Sequence, residues 1–217
     1  MNQIINNEKI ARKKSKIITR LIIISGVIVF IVLLSILVFN FVIKNSEHKA
    51  SITDLQKHWN AYDYDSVYNL SNDILIENPF NNTALTYHGY SAFYLAVSQI
   101  DTALSQSYLD EAINNMRNAL LNAKHSLIPQ LEYMLGKAYF YKNTITSYYY
   151  ADLAVKYLVS ARKHGYKADD IPEYLGLSYA ALGQTMESIS AFTEALLIRE
   201  SDTLLLSIAE QYYKIQQ

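Results

Sequence analysis

The stretch that most constrains the fold lies near the C-terminus, at Tyr174–Arg199, and reads YLGLSYAALGQTMESISAFTEALLIR. Its first half places Gly176 three residues before Tyr179, and its second half carries Phe192. Because a glycine has no side chain, a neighbouring helix can approach it closely, and large rings can fill the space beside it. Gly183, between the halves, suits the left-handed backbone that ends many helices. The stretch predicts two antiparallel helices joined by a turn at Gly183.

Two more copies of this pattern come earlier in the chain. They are centred on Gly136 and Gly89, and each is followed by a second apolar run. The residues in register are Ala154, Leu158 and Ala161 in one run and Ala112, Met116 and Ala119 in the other. The stretch 97–108, between the halves of the Gly89 copy, lacks Gly and Pro, so it predicts longer helices and not a flexible loop. A weaker first copy, over 52–61 and 66–77, lacks the Leu-Gly pair.

These residues resemble a tetratricopeptide repeat (TPR), in which two antiparallel helices recur about every 34 residues. The residues that match the motif are Gly89, Leu135, Gly136, Tyr139, Leu175, Gly176, Tyr179, Gly183, Phe192 and Ala195. The last copy departs from it with Ser188 in place of Ala and Arg199-Glu200 in place of Pro. The resemblance implies an all-α TPR helical solenoid. Its repeats fall at about 48–81, 82–128, 129–168 and 169–202, and a polar capping helix closes it at 203–217.

The N-terminal region predicts a membrane anchor. Residues 21–43 carry no charge, and as a helix rising about 1.5 Å per residue they are long enough to span about 30 Å of hydrocarbon. Basic residues are concentrated before this stretch. The positive-inside rule then predicts a cytoplasmic tail at 1–20, a linker at 44–50 and an extracytoplasmic solenoid at 51–217. A cleaved signal peptide is the alternative, although its apolar core is shorter, about 7 to 15 residues.

Composition excludes several classes of function. The net charge of −1 gives no overall field that would attract nucleic acid. The absence of cysteine excludes disulfides, thiolate metal sites and a cysteine nucleophile. Gly and Pro are scarce, at 6 and 3 residues, which favours helices over a many-stranded fold. The richness in Asn, Ile, Lys and Tyr is typical of an AT-rich bacterial genome.

The sequence contains no motif for catalysis or cofactor binding. The five histidines do not form His-Glu-x-x-His or another metal-binding spacing, and neither glycine-rich phosphate-binding fingerprint occurs. The acidic pairs Asp110-Glu111 and Asp169-Asp170 lie at predicted helix N-termini, where carboxylates stabilise the helix dipole. We therefore expect a protein that is not an enzyme, with no cofactor, no metal and no small-molecule substrate.

The concave groove is the predicted partner site. In the fold that the resemblance implies, the first helix of each repeat lines this groove, and the residues one, four and five places after each repeat glycine point into it. Tyr133 and Tyr174, three and two residues before their glycines, lie near the same face, and Trp59 takes the matching place in the first repeat. The predicted groove residues are Trp59, Tyr90, Phe93, Tyr94, Tyr133, Lys137, Phe140, Tyr141 and Tyr174. Tyr and Trp supply large contact areas at a small entropic cost, so an aromatic groove fits a protein partner.

Core packing is the alternative interpretation of these rings, because aromatic residues at helical spacing often fill the space between helices. The sequence leaves the two interpretations open. The clamp of Lys and Asn with which some TPR domains hold a C-terminal Asp is not supported, because its positions carry mainly aromatic residues here.

The anchor and the repeats together predict an extracytoplasmic scaffold, held at the cytoplasmic (inner) membrane by one span, that binds other proteins during assembly of an envelope complex. The architecture and composition resemble the small TPR proteins of the periplasmic collar around the flagellar motor. A periplasmic chaperone or outer-membrane assembly factor that binds unfolded clients is a second interpretation. A regulator of a cell-wall enzyme is a third. In each case the partners are proteins and not nucleic acids.

Overall fold

The computed structural model describes residues 30–38, 51–146 and 149–216. From residue 51 onward these residues form nine helices, and the described ranges contain no strand. The helices are α1 Ile52–Asn60, α2 Tyr64–Glu77, α3 Asn82–Ser98, α4 Thr102–Leu121, α5 Ile128–Ile145, α6 Ala151–Lys163, α7 Ile171–Ala181, α8 Thr185–Ile198 and α9 Asp202–Gln216. The chain divides into two units, Met1–Lys49 and Ala50–Gln217. The second is termed the helical unit.

The helical unit consists of four helix pairs followed by a single helix. Within the pairs, α1 packs on α2, α3 on α4, α5 on α6 and α7 on α8, and each pair packs on the next. The first helices also contact one another in succession, α1 with α3, α3 with α5 and α5 with α7. For the residues that the structure describes, the prediction of an all-α fold is confirmed. The first helices form one continuous face, which positions the candidate site.

Each repeat glycine lies where the two helices of a pair approach closely. A Cβ built on it would lie 2.5 or 2.6 Å from a side-chain carbon of the second helix, in the pairs Gly89–Met116, Gly136–Leu158 and Gly176–Phe192. The other residues of the motif lie between the helices as well. Those that are buried are Leu135, Tyr139, Leu175, Phe192 and Ala195, and Tyr179 is half-buried. The glycine therefore sets the interhelix distance in three repeats, as the sequence predicts for Gly176.

The first repeat packs in the same way, but its large side chain is on the first helix and its small one on the second. Leu55 stands where the later repeats have glycine, and Ser71 stands where they have a large apolar residue. Both residues are fully buried, at 0% exposure. A large side chain on α1 and a small one on α2 keep the combined volume similar, which cores tolerate well. This exchange explains why the pair forms although the Leu-Gly signature is missing.

Local sequence determines several helix ends. Backbone N–H groups at the start of the first four helices donate hydrogen bonds to the capping side chains of Ser51, Asp63, Asn81 and Asp101. Gly183 has a φ of 71°, the left-handed value that the predicted turn requires. Only three residues separate α3 from α4, so the prediction of longer helices through 97–108 is confirmed.

The acidic pair Asp110-Glu111 does not begin a helix, and this prediction is wrong. Helix α4 is capped by Asp101 and starts eight residues before Asp110. The two carboxylates bind neighbouring helices instead. Asp110 forms an ion pair with Lys142 on α5, and Glu111 accepts a hydrogen bond from the hydroxyl of Tyr68 on α2. The extra length of α4 moves the pair away from the helix N-terminus.

The last helix, α9, is not the polar cap that the sequence predicts. Leu204 packs against Phe192 and Ala195 of α8. Another side of α9 exposes large apolar and aromatic residues, among them Leu206 at 60% and Tyr213 at 64% exposure. The polar residues of this segment do not cover that side, because they occupy other positions around the helix.

Residues 30–38 of the first unit are helical, and their large apolar side chains are 50% to 67% exposed. The predicted tail 1–20, the predicted linker 44–50 and the rest of the predicted span 21–43 lie outside the described residues. In the part of the chain that the structure describes, no helix is both long enough and apolar enough to cross a membrane.

Candidate partner-binding surface

Aromatic rings connect the first helices of all four repeats. The contacts between successive helices are Trp59–Tyr94, Phe93–Tyr141 and Phe140–Tyr174, with ring centroids 5.9, 5.7 and 4.9 Å apart. We term these rings and the neighbouring Tyr90 and Tyr133 the aromatic stripe. Edge-on and tilted contacts of this kind each stabilise a fold by about 0.5–1.5 kcal/mol beyond the burial of their area. The stripe therefore stabilises the packing of each repeat on the next.

Lys137, on α5, lies among the rings of the stripe. Its Nζ donates hydrogen bonds to Oδ2 of Asp170 at 3.0 Å and to the hydroxyl oxygen of Tyr133 at 3.2 Å. It also lies 4.9 Å from the ring centroid of Tyr174, within the range of cation–π attraction. Tyr133 in turn donates to Asp170 at 2.7 Å. This network joins α5 to the start of α7 and engages the amine of Lys137 within the fold.

Burial raises the pKa of several tyrosines in the stripe. It raises the pKa of Tyr133, and the hydrogen bond to the Asp170 carboxylate raises that pKa further. It also raises the pKa of Tyr90 and of Tyr174, whose hydroxyl oxygen lies 3.2 Å from that of Tyr141. Desolvation disfavours the phenolate, so these side chains remain neutral around pH 7 and act as hydrogen-bonding groups.

The nine predicted groove residues fall into two sets. Tyr90, Phe93 and Tyr133 are 4%, 2% and 8% exposed and belong to the hydrophobic core. Their assignment to an open groove is corrected, because neighbouring rings cover them. Tyr166 from the α6–α7 connection, for example, stacks on Tyr133 with centroids 4.6 Å apart. The partly buried set consists of Trp59, Tyr94, Lys137, Phe140, Tyr141 and Tyr174. Partner binding by this second set stays a prediction.

An open cavity adjoins the stripe where the first helices of three repeats come together. Its volume is about 410 Å³. The principal lining residues are Gln56 and Trp59 from α1, Thr86, Tyr87 and Tyr90 from α3, and Gln130 from α5. Lys124, at the α4–α5 connection, supplies the one charge among the described residues that line it. Amide and hydroxyl groups beside aromatic walls suit an uncharged ligand that both forms hydrogen bonds and buries apolar surface.

Two buried polar atoms belong to residues of this cavity and lack a hydrogen-bond partner within the described ranges. They are the hydroxyl of Tyr90 and Oδ1 of Asn82. A buried polar group left without a partner costs about 1–3 kcal/mol. Each atom is itself enclosed by the protein, so neither belongs to the open surface of the cavity. The hydrogen-bonding capacity of the cavity comes from the exposed side chains of Gln56, Thr83 and Gln130.

The groove positions that the motif predicts lie mostly after each repeat glycine, so they do not include the earlier residues that line this cavity. Thr83 and Thr86 lie six and three residues before Gly89, and Gln130 lies six residues before Gly136. At helical spacing these positions continue the same face toward the helix N-terminus. Asp170, six residues before Gly176, was explained by the helix dipole alone, although it binds Lys137. Their distances from the repeat glycines would have placed all four residues on the groove face.

A second polar cluster surrounds His88 and is structural. The imidazole is 4% exposed, its Nδ1 lies 2.9 Å from Oγ of Ser71, and its Nε2 lies 4.0 Å from Oε2 of Glu111. Burial lowers the pKa of His88. The cluster joins α2, α3 and α4 without reaching the cavity. Across residues 30–38, 51–146 and 149–216, no group of three or more His, Asp or Glu side chains could hold a metal ion.

Paired helices, close-approach glycines and a continuous face of first helices define a TPR-like solenoid. Similar solved structures include MamA AMB-1, with a TM-score of 0.60 and 19% identity over 76% of this chain and 86% of that one. Another is YrrB, described as a TPR protein with an unusual peptide-binding site. It has a TM-score of 0.56 and 14% identity over 82% of this chain and 84% of that one. No protein-family model and no curated protein sequence matches the chain. At these identities the likeness shows the TPR fold alone.

Proposed function

We propose that this protein is a scaffold that binds a segment of a partner protein in the cavity between α1, α3 and α5. The observation that carries the proposal is an open cavity of about 410 Å³ in which exposed Gln56, Thr83 and Gln130 lie beside the rings of Trp59 and Tyr87. Peptide main chains supply hydrogen-bond donors and acceptors for such amide and hydroxyl groups. The peptide-binding site described for YrrB supports a peptide as the class of ligand.

The scaffold is held at the cytoplasmic membrane by one span, with the helical unit in the periplasm. The uncharged stretch 21–43 and the basic residues before it support this location. The apolar side chains that helical residues 30–38 expose also support it, because such side chains favour lipid over water. Confinement to the membrane raises the effective concentration for partners anchored in the same bilayer.

The process served is assembly of an envelope complex. The combination of an anchor, a small TPR unit and this composition resembles the proteins of the periplasmic collar around the flagellar motor, which is the particular complex we propose. Binding of many unfolded clients, or of a cell-wall enzyme, would use the same cavity, and the partner's identity distinguishes these cases.

The test is photocrosslinking in cells that express the whole chain. A photoreactive residue replaces Tyr87, which lines the cavity, or Ile76, which is 72% exposed on α2 away from it. We expect one predominant adduct at position 87, absent at position 76 and abolished by Thr83→Arg, a change at an exposed lining position whose longer side chain fills the cavity. A ladder of unrelated clients would favour the chaperone, and a cell-wall enzyme would favour the regulator. Equal adducts at both positions would refute the cavity as the site.

Location is tested separately with protease added to spheroplasts. We expect digestion of the helical unit, because it lies outside the cytoplasmic membrane. Full protection, with digestion only after lysis, would place it in the cytoplasm and overturn the proposed orientation.

A further inference from the structure

The cavity between α1, α3 and α5 has a charged end and an aromatic end. Lys124, at the α4–α5 connection, and Thr83, in the first turn of α3, line the charged end. Helices α3 and α5 are separated by one antiparallel helix and run in the same direction, so the start of α5 lies at the same end as Thr83. At the aromatic end the rings of Trp59 and Tyr90 pack together, with centroids 5.8 Å apart.

Lys124 supplies a positive charge that the described part of the chain does not neutralise. Its side chain is exposed, and the ion pairs that the described residues form do not include it. By contrast, Lys137 and Lys142 on α5 both form ion pairs with carboxylates. The described residues that line the cavity include no Asp or Glu. This end of the cavity therefore favours an anionic group in a ligand and disfavours a cation.

The separation of the two ends determines a spacing in the ligand. Thr83 and Tyr90 are seven residues apart on α3, which corresponds to about 10 Å at a rise of about 1.5 Å per residue. An extended peptide advances about 3.3 Å per residue. A group at Lys124 and a group at Trp59 are therefore about three residues apart in an extended segment.

We infer that the bound segment carries an Asp or Glu side chain at Lys124 and an apolar or aromatic side chain, about three residues away, at Trp59. The inference rests on the proposed function, which takes a peptide as the ligand. The exposed amides of Gln56 and Gln130 form hydrogen bonds with the uncharged main chain of the segment. The carboxylate belongs to a side chain and not to a C-terminus, because the Lys and Asn positions of the C-terminal clamp carry mainly aromatic residues here.

The test uses the whole chain in detergent and a library of short random peptides, acetylated at the N-terminus and amidated at the C-terminus. Peptides retained by the parent chain should be enriched in Asp and Glu, with an apolar residue about three positions away. Lys124→Gln should abolish the acidic enrichment, and Lys124→Glu should replace it with Lys and Arg. The control is Lys163→Gln, at an exposed position of α6 outside the cavity lining, which should select the same peptides as the parent.

Trp59 is the only tryptophan of the chain, so its fluorescence measures the affinity for each retained peptide that lacks tryptophan. Replacing the acidic residue of such a peptide with its amide should weaken binding to the parent about two- to five-fold, because exposed ion pairs contribute modestly. The same replacement should have no effect on binding to the Lys124→Gln protein.

Three outcomes would overturn the inference, and they differ in what they say of the proposed function. Selection of the same peptides by the parent, Lys124→Gln and Lys124→Glu would remove the role of Lys124 but not peptide binding in the cavity. Retention only from a second library with free C-termini would assign the carboxylate to the chain terminus. If no peptide is retained, or if Thr83→Arg retains the same peptides as the parent, the cavity is not a peptide site and the proposed function is also wrong.

Discussion

Gly176 and Phe192 meet where α7 crosses α8, and a Cβ on the glycine would lie 2.5 Å from Cδ1 of the ring. Phe192 is 1% exposed, so the ring is enclosed and has no solvent-filled space to move into. This contact sets the separation of the two helices in the fourth repeat. The pairs Gly89–Met116 and Gly136–Leu158 have the same role in the repeats before it.

Substitution Gly176→Ala should therefore lower the free energy of unfolding by about 1–3 kcal/mol through overpacking. The effect opposes the gain in helix propensity of about 1 kcal/mol that alanine normally brings. Urea unfolding followed by circular dichroism measures it. Adding Phe192→Leu should recover part of the loss, because the shorter side chain leaves room for the methyl group. A Gly176→Ala protein as stable as the parent would contradict the close contact, and Ser190→Ala on exposed α8 surface is the control.

Removal of residues 1–43 should leave a soluble, helical fragment that unfolds cooperatively. The helical unit Ala50–Gln217 forms its own compact contacts, so its core does not depend on the removed segment. Circular dichroism and a thermal melt of the purified fragment are the measurements. An insoluble or unfolded product would count against the division into anchor and solenoid.

The ion pair between Lys137 and Asp170 should contribute a coupling energy of about 1 kcal/mol in a double-mutant cycle with Lys137→Met and Asp170→Asn. The Lys137 side chain is 16% exposed and the carboxylate 35%, so solvent screens the pair only partly. The control is Arg162–Glu194, where both side chains are about half exposed at 47% and 48%. We expect a smaller coupling there and a stronger loss of it in high salt. Equal couplings would contradict the network.

The fold should lose stability as the pH rises above about 10, the usual pKa of tyrosine in an unfolded chain. Burial raises the pKa of Tyr90, Tyr133 and Tyr174 in the folded state. The unfolded chain therefore releases protons that the folded one retains. Stability is complete below pH 10 and falls as the pH increases further. Urea midpoints from pH 7 to 11.5, with tyrosinate absorbance recorded in parallel, test this.

The matched variant is Tyr90→Phe. Its hydroxyl has no hydrogen-bond partner in the described residues, so its removal should raise the free energy of unfolding at pH 7 by up to about 1–3 kcal/mol. The advantage over the parent should be larger at pH 11, because the variant has no buried hydroxyl at this position whose ionisation favours the unfolded chain. Tyrosinate absorbance that develops while the circular dichroism remains folded would contradict the burial argument.

Phe93→Ala should lower the free energy of unfolding by about 3–5 kcal/mol, as expected for a buried ring. At 2% exposure the ring acts as core and not as a partner contact. Thr83→Arg, at an exposed position of the cavity lining, should instead leave the melting temperature nearly unchanged and abolish the adduct at position 87. If Phe93→Ala unfolds at the same temperature as the parent, the ring belongs to the binding surface after all.

Much of the fold was predictable because its determinants are local. Gly176 and Tyr179 recur as Gly136 and Tyr139, and together with Phe192 and Gly183 they predict two helices joined by a turn. The first repeat was harder, since Leu55 and Ser71 exchange sizes between two helices. A motif that tests for glycine at one position does not detect this exchange, because it depends on the combined volume of two side chains on different helices.

The site was predictable only in part. The sequence indicated the correct face, and six of the nine residues placed there are partly accessible. It could not indicate that Tyr166 would cover Tyr133, because a connection folds back onto a helix more than thirty residues away in the chain. The sequence also could not predict the ion pair between Lys137 and Asp170. A carboxylate at the start of a helix is expected from the helix dipole alone, so its presence there does not indicate a distant partner.

The sequence by itself determined the repeat, its glycines and the helices they separate, because short-range spacing specifies which side chains share a helix face. Only the tertiary structure decided which rings became core and where the cavity between α1, α3 and α5 opened. Those outcomes depend on contacts between distant segments. Burial is a property of the assembled helices, and no single segment of the chain specifies it.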